Sequence, residues 1–80
     1  MERELAKHIV ATGFRSASAL QELVPLLKPH CDPNEYEKYA RAIASVSTEI
    51  STEILNPIFD QFPDLKSEVE QKINKYGKFI

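Results

Sequence analysis

Apolar side chains recur along this chain at three- and four-residue steps, the spacing that lines one face of a helix. Over residues 2–12, Leu5, Ile9 and Thr12 form one row with Ala6 and Val10 beside it. This predicts a first helix with a moderately wide buried stripe. Gly13 stands where a helix end takes a left-handed residue, with Phe14 folding back on Ile9. A second helix is predicted from Ser16 or Ser18, both good N-caps, the latter with Gln21 in capping-box spacing. Its stripe is Leu20, Leu23, Val24 and Leu27. Pro25 lacks the N–H owed to the preceding turn, which predicts a kink or tight turn there, and Pro29 ends the element.

Residues 29–33 make the sharpest break. Asp32 as N-cap, Pro33 in the first helical position and Glu35 two residues later are a helix-start signature. From there Tyr36, Tyr39, Ile43, Val46, Ile50 and Ile54 mark one long helix over about residues 33–56, roughly 36 Å at 1.5 Å per residue. Its centre reads Ser-Thr-Glu-Ile twice over residues 47–54. A repeat of four stacks each side chain one α-helical turn above its copy. Beside the isoleucine row runs a row of small residues, Ala40, Ala44, Ser47 and Ser51, which would let another helix approach closely. Asn56-Pro57 predicts an end or bend, because the residue before proline is pushed from helical angles. Residues 57–62 then form a short turn closed by Pro63. A last helix, capped by Asp64, carries Leu65, Val69, Ile73, Tyr76 and Ile80 on one stripe. Lys72, Lys75 and Lys78 near its end suit the helix dipole, and Gly77 terminates it.

Short connections imply antiparallel neighbours. The pattern therefore reads as all-α: one domain over residues 1–80, a small antiparallel bundle of four or five helices around the central helix. The expected core is Leu5, Ile9, Phe14, Leu20, Leu23, Ile43, Val46, Ile50, Ile54, Phe59, Leu65, Val69 and Ile73. Apolar residues at 42% and charged residues at 28% fit a globular chain rather than a disordered one. Eighty residues give one core with little stability to spare, so a second copy or a partner is an expected source of extra burial.

A net charge of −2, from 10 basic and 12 acidic residues, advertises neither nucleic acid nor an anionic membrane. No apolar run approaches the roughly 20 residues that span a bilayer, and the acidic N-terminus does not resemble a signal peptide. A single cysteine, Cys31, points to a reducing compartment, and the expected location is cytoplasmic.

His30-Cys31-Asp32 is the one cluster of catalytic residue types. Three consecutive side chains in a proline-bracketed turn diverge, whereas a cysteine nucleophile needs base and orienter converging in space. His8 could complete a metal site with His30 and Cys31 only if the first helix ran beside the turn, and no paired ligand spacing exists. Glu49 and Glu53 stand four apart without the Glu-x-x-His step of helical di-iron bundles, and read as a solvated acidic edge. The residues 17–24 carry no Lys or Arg, which removes a DNA-reading helix. Aromatic residues gather at Tyr36, Tyr39, Tyr76 and Phe79, where a half-wet ring could mark a contact surface.

No catalytic, cofactor-binding or metal-ligating set emerges, and no enzyme activity is expected. The expectation is a non-catalytic protein–protein interaction module that self-associates as a homodimer or docks on another protein. Its candidate interface is Ala40, Ile43, Ala44, Ser47, Ile50, Ser51 and Ile54. One alternative is a stoichiometric inhibitor of the immunity-protein or antitoxin type, presenting Glu49, Glu53, Asp60 and Asp64 to a basic partner. A second is a metal- or thiol-dependent protein built on His30 and Cys31.

Overall fold

Three helical rods form the molecule, described over residues 1–77 in a computed structural model. The first is α1, Arg3–Leu27; the second joins α2, Pro33–Glu49, a π-helical segment, Ile50–Leu55, and α3, Asn56–Gln61, without a break; the third is α4, Pro63–Tyr76. No strand occurs among the described residues. The fold is all-α, as the periodicity implies, but the rods number three rather than four or five.

The two short helices expected at the N-terminus are one. Gly13 sits buried within α1 in a helical conformation rather than capping an end, and Ser16 and Ser18 lie mid-helix. Glycine fits there because the space is filled. A Cβ at Gly13 would stand 2.9 Å from Leu55 Cδ2, so the Leu55 side chain of the second rod packs directly on the α1 backbone at this level. Pro25 is also accommodated inside α1, two residues before its end.

The start of α2 matches its sequence signature. Asp32 Oδ1 accepts from the Glu35 amide at 2.9 Å, Glu35 Oε1 accepts from the Asp32 amide at 3.4 Å, and Pro33 occupies the first turn. The hydrogen bond from the Glu35 amide is the main reason the Asp32 carboxyl lies below its ordinary value.

Pro57 neither ends nor breaks the second rod. In an α-helix its ring would crowd the carbonyl of Glu53, four residues back. The backbone instead widens to π geometry, with the Asn56 amide donating to the Ser51 carbonyl five residues back. One extra residue is thereby absorbed into one turn. The Thr48 hydroxyl donates to the Ala44 carbonyl at 3.0 Å and the Thr52 hydroxyl to the Glu49 carbonyl at 3.5 Å, back-bonds of the kind that bend helices.

This extra residue shifts the phase of everything after Ile50. The inward position one turn on is Leu55 rather than Ile54, and the next is Ile58, with Phe59 only half-buried. The core is Ala6, Val10, Leu55, Ile58, Leu65 and Val69, with Ile9, Phe14, Ile50, Phe59 and Phe62 packed on it. Of the residues expected inside, Leu65 and Val69 are buried, whereas Leu5, Leu23, Val46, Ile54 and Ile73 are exposed.

Phe62, not Asp64, precedes α4, and Pro63 opens it. Asp64 instead forms an ion pair with Arg3, whose guanidinium also lies 3.8 Å from Glu68. Gly77 ends α4 in a left-handed conformation, φ 75°, its amide donating to the Ile73 carbonyl at 2.8 Å. The expected roles of Lys78, Phe79 and Ile80 lie outside the described residues.

The short turn at residues 28–32 makes α1 and the second rod antiparallel. Helix α4 runs in the same direction as α1, with Arg3 against Asp64 and Arg15 beside a cleft shared with Lys72. It reaches α1 only along residues 3–15. Extents of 45 × 26 × 15 Å and a radius of gyration of 14.8 Å describe a slab; a rounded domain of this length would have a radius near 12 Å.

Candidate functional site

Cover is unequal along this slab. The half of α1 beneath α4 supplies Ala6, Val10 and Gly13 to the buried interior. Beyond it, α1 and α2 form a two-helix arm capped by the turn at residues 28–32. From residue 14 to residue 46 no side chain is buried. Those that face across the arm, Leu20, Val24, Tyr36 and Ile43 among them, are half-buried.

Helix α1 carries two apolar rows. One, Ala6, Val10 and Gly13, is used by the core; the other, Leu5 and Ile9 continuing through Thr12 and Ser16 to Leu23, points to the opposite side from α4. On the second rod, Ile50 and Ile54 face the same way, since both line a groove with His8, Ile9, Thr12, Gly13 and Ser16. Val46 lies one turn, and Tyr39 three turns, before Ile50 on that row. The exposed large side chains Leu5 (50%), Leu23 (42%), Tyr39 (48%), Val46 (47%) and Ile54 (43%) therefore share a single face of the α1–α2 layer. No Lys, Arg, Asp or Glu interrupts either row.

The groove within this face has a volume of about 310 Å³. It exists because Thr12, Gly13 and Ser16 are small where Leu23 and Tyr39, farther out on the arm, are large. A second cleft, about 210 Å³, lies on the other side between α1 and α4. Val10, Leu65 and Val69 floor it; Lys7, Arg15, Glu68 and Lys72 rim it.

The sequence-derived interface residues divide between these surroundings. Ser47 is buried, and its hydroxyl has no hydrogen-bond partner among the described residues. Ala40, Ile43 and Ile50 are half-buried, Ile50 against the core. Ala44, Ser51 and Ile54 are exposed. Leu5, Leu23 and Val46, read from periodicity as core, instead belong to the outward face. The signal that could have found them is the doubling of apolar rows on α1, one row per neighbour.

The turn chemistry does not assemble. Because α1 is continuous, His8 stands about 30 Å along the helix from His30 at 1.5 Å per residue. Cys31 is half-buried and His30 exposed, and Asp32 is engaged as a cap. Among the described residues no three His, Cys, Asp or Glu side chains converge as metal ligands. Glu49, Glu53 and Asp60 are exposed, while Asp64 is held by Arg3. Among the described residues no helix is long and apolar enough to cross a membrane. Compared with known protein families, curated proteins and solved structures, the chain matches none.

Proposed function

We propose that this protein is a non-catalytic interaction module of the cytoplasm whose working surface is the uncovered apolar face of the α1–α2 layer. The observation that carries the reading is the stretch from residue 14 to residue 46 without one buried side chain. Helical layers are stabilised by burying their apolar faces against another layer. Here α4 serves that purpose on one side and over one half only. Protein is the fitting class of partner, since an uncharged row offers nothing to phosphates or to anionic headgroups.

The test is cross-linking and affinity recovery with the wild-type chain and with Leu23→Glu and Val46→Glu. Both positions are exposed, so the helical signal in circular dichroism should survive. Specific protein contacts, a second copy included, should be recovered with the wild type and lost with the variants. Equal recovery with folded variants would refute the reading.

A further inference from the structure

Resting on the interaction reading, we infer that the partner is a second copy of this chain, laid antiparallel across the uncovered face. Three observations converge on it. The first is area. The chain exposes 5880 Å², against about 4,900 Å² expected for a folded monomer of 9.1 kDa. The excess of roughly 1,000 Å² belongs to the slab as a whole, and burying the ~800 Å² that each partner contributes to a standard interface would remove most of it.

The second is charge. A face met by its own copy must tolerate itself, because in a two-fold pair the same patch appears on both sides. The rows through Leu5, Ile9 and Leu23 and through Tyr39, Val46 and Ile54 carry no charge that would face its like. A net charge of −2 on each chain opposes pairing only weakly.

The third is relief, and it fixes the direction. The face has a hollow at Gly13, floored by small side chains, and a ridge at Leu23 and Tyr39 farther along. An antiparallel pair sets the ridge of each copy into the hollow of the other. A parallel pair sets ridge on ridge and hollow on hollow. The result is a four-helix layer packing of two α1–α2 arms, with each α4 on the outside.

Light scattering over a wide concentration range tests the pairing. The wild type is expected at twice 9.1 kDa, and Leu23→Glu and Val46→Glu at the single-chain mass with unchanged circular dichroism. Glu70→Lys, on α4, should leave the mass at its wild-type value. A wild-type chain that stays at the single-chain mass overturns the inference; if the face variants still abolish recovery of another protein, the interaction reading stands without it. Should either variant unfold, the wild type itself decides through a spin label on its single cysteine, Cys31, at the tip of the arm. In the antiparallel pair the two labels lie roughly 35 Å apart, reckoned at 1.5 Å per helical residue from an axis near residue 18. Labels within about 15 Å of each other would mean a parallel pair and overturn the arrangement.

Discussion

Replacing Gly13 by alanine sets two effects of opposite sign against each other, and their balance reports how closely α1 meets the second rod. In a helix interior alanine is favoured over glycine by about 1 kcal/mol. Against this, the new Cβ would stand 2.9 Å from Leu55 Cδ2, inside any ordinary contact distance. Leu55 is almost wholly buried, so it yields only by displacing its neighbours, and overpacking of this kind costs about 1–3 kcal/mol. The net expectation for Gly13→Ala is a loss of up to about 2 kcal/mol. Leu55→Ala alone should cost about 2–5 kcal/mol. In that background the added methyl meets no obstacle, so Gly13→Ala should then stabilise by about 1 kcal/mol or more. The sign of one substitution thus reverses with the presence of the other, a coupling of about 1–3 kcal/mol. Urea titrations followed by circular dichroism measure the cycle, at one fixed protein concentration because association would add its own stabilisation. Equal stabilisation by Gly13→Ala in both backgrounds would refute the close approach.

Ser47→Ala should stabilise by about 1 kcal/mol, since it removes a buried hydroxyl without a partner and adds a better helix former; calorimetry should show a melting point higher by several degrees. Deleting Thr52 together with Pro57→Ala should preserve the fold, because the π segment holds one residue more than an α-helix needs and the ring that crowds the Glu53 carbonyl is gone, whereas deleting Ala44 from α2 should abolish cooperative melting by rotating every later side chain by about 100°. The Asp32 carboxyl is held below its ordinary value of 3.8 by the Glu35 amide. The unfolded chain therefore binds the proton first, and the cap's contribution, complete above pH 3.8, is lost as pH falls through the lowered native value. Asp32→Asn keeps a capping side chain and should flatten that acid dependence, which melting curves across the acid range would show.

Helix type was legible in this sequence, and helix phase was not. The start of α2 is encoded by three neighbours, Asp32, Pro33 and Glu35, whose interactions are complete within one turn. The interruption expected at Gly13 fails because the reason for glycine there is Leu55, a residue 42 positions away that periodicity within α1 cannot see. Pro57 announces a disturbance, but the disturbance is spread back over residues 50–55 as a wider turn. The doubled Ser-Thr-Glu-Ile tetrapeptide then misleads, since stacking by fours presumes an α-helix and the second copy lies in π geometry. Stacking by fours points Ile54 inward and Leu55 away, the reverse of their burial. Of the candidate face, the sequence conveyed the isoleucine row through Ile50 and Ile54 and the small residues beside it. It did not convey that Leu5 and Leu23 extend the same face across α1, which depends on how the two rods lie side by side.

The arm without a buried side chain also sets a gradient of local opening along the molecule. Amides near Ala6, Val10 and Leu55, under the interior, open only when the whole fold does, while those near Leu23 and Tyr39 are released by separating two helices that share a few half-buried contacts. Hydrogen exchange should therefore quicken stepwise from base to tip in a lone chain. Where the face is covered, the tip acquires the protection of the base. The arm then serves as a reporter of its own occupancy: its folding free energy rises with whatever sits upon it, and exposed to proteases it becomes the first segment cut whenever that cover is withdrawn.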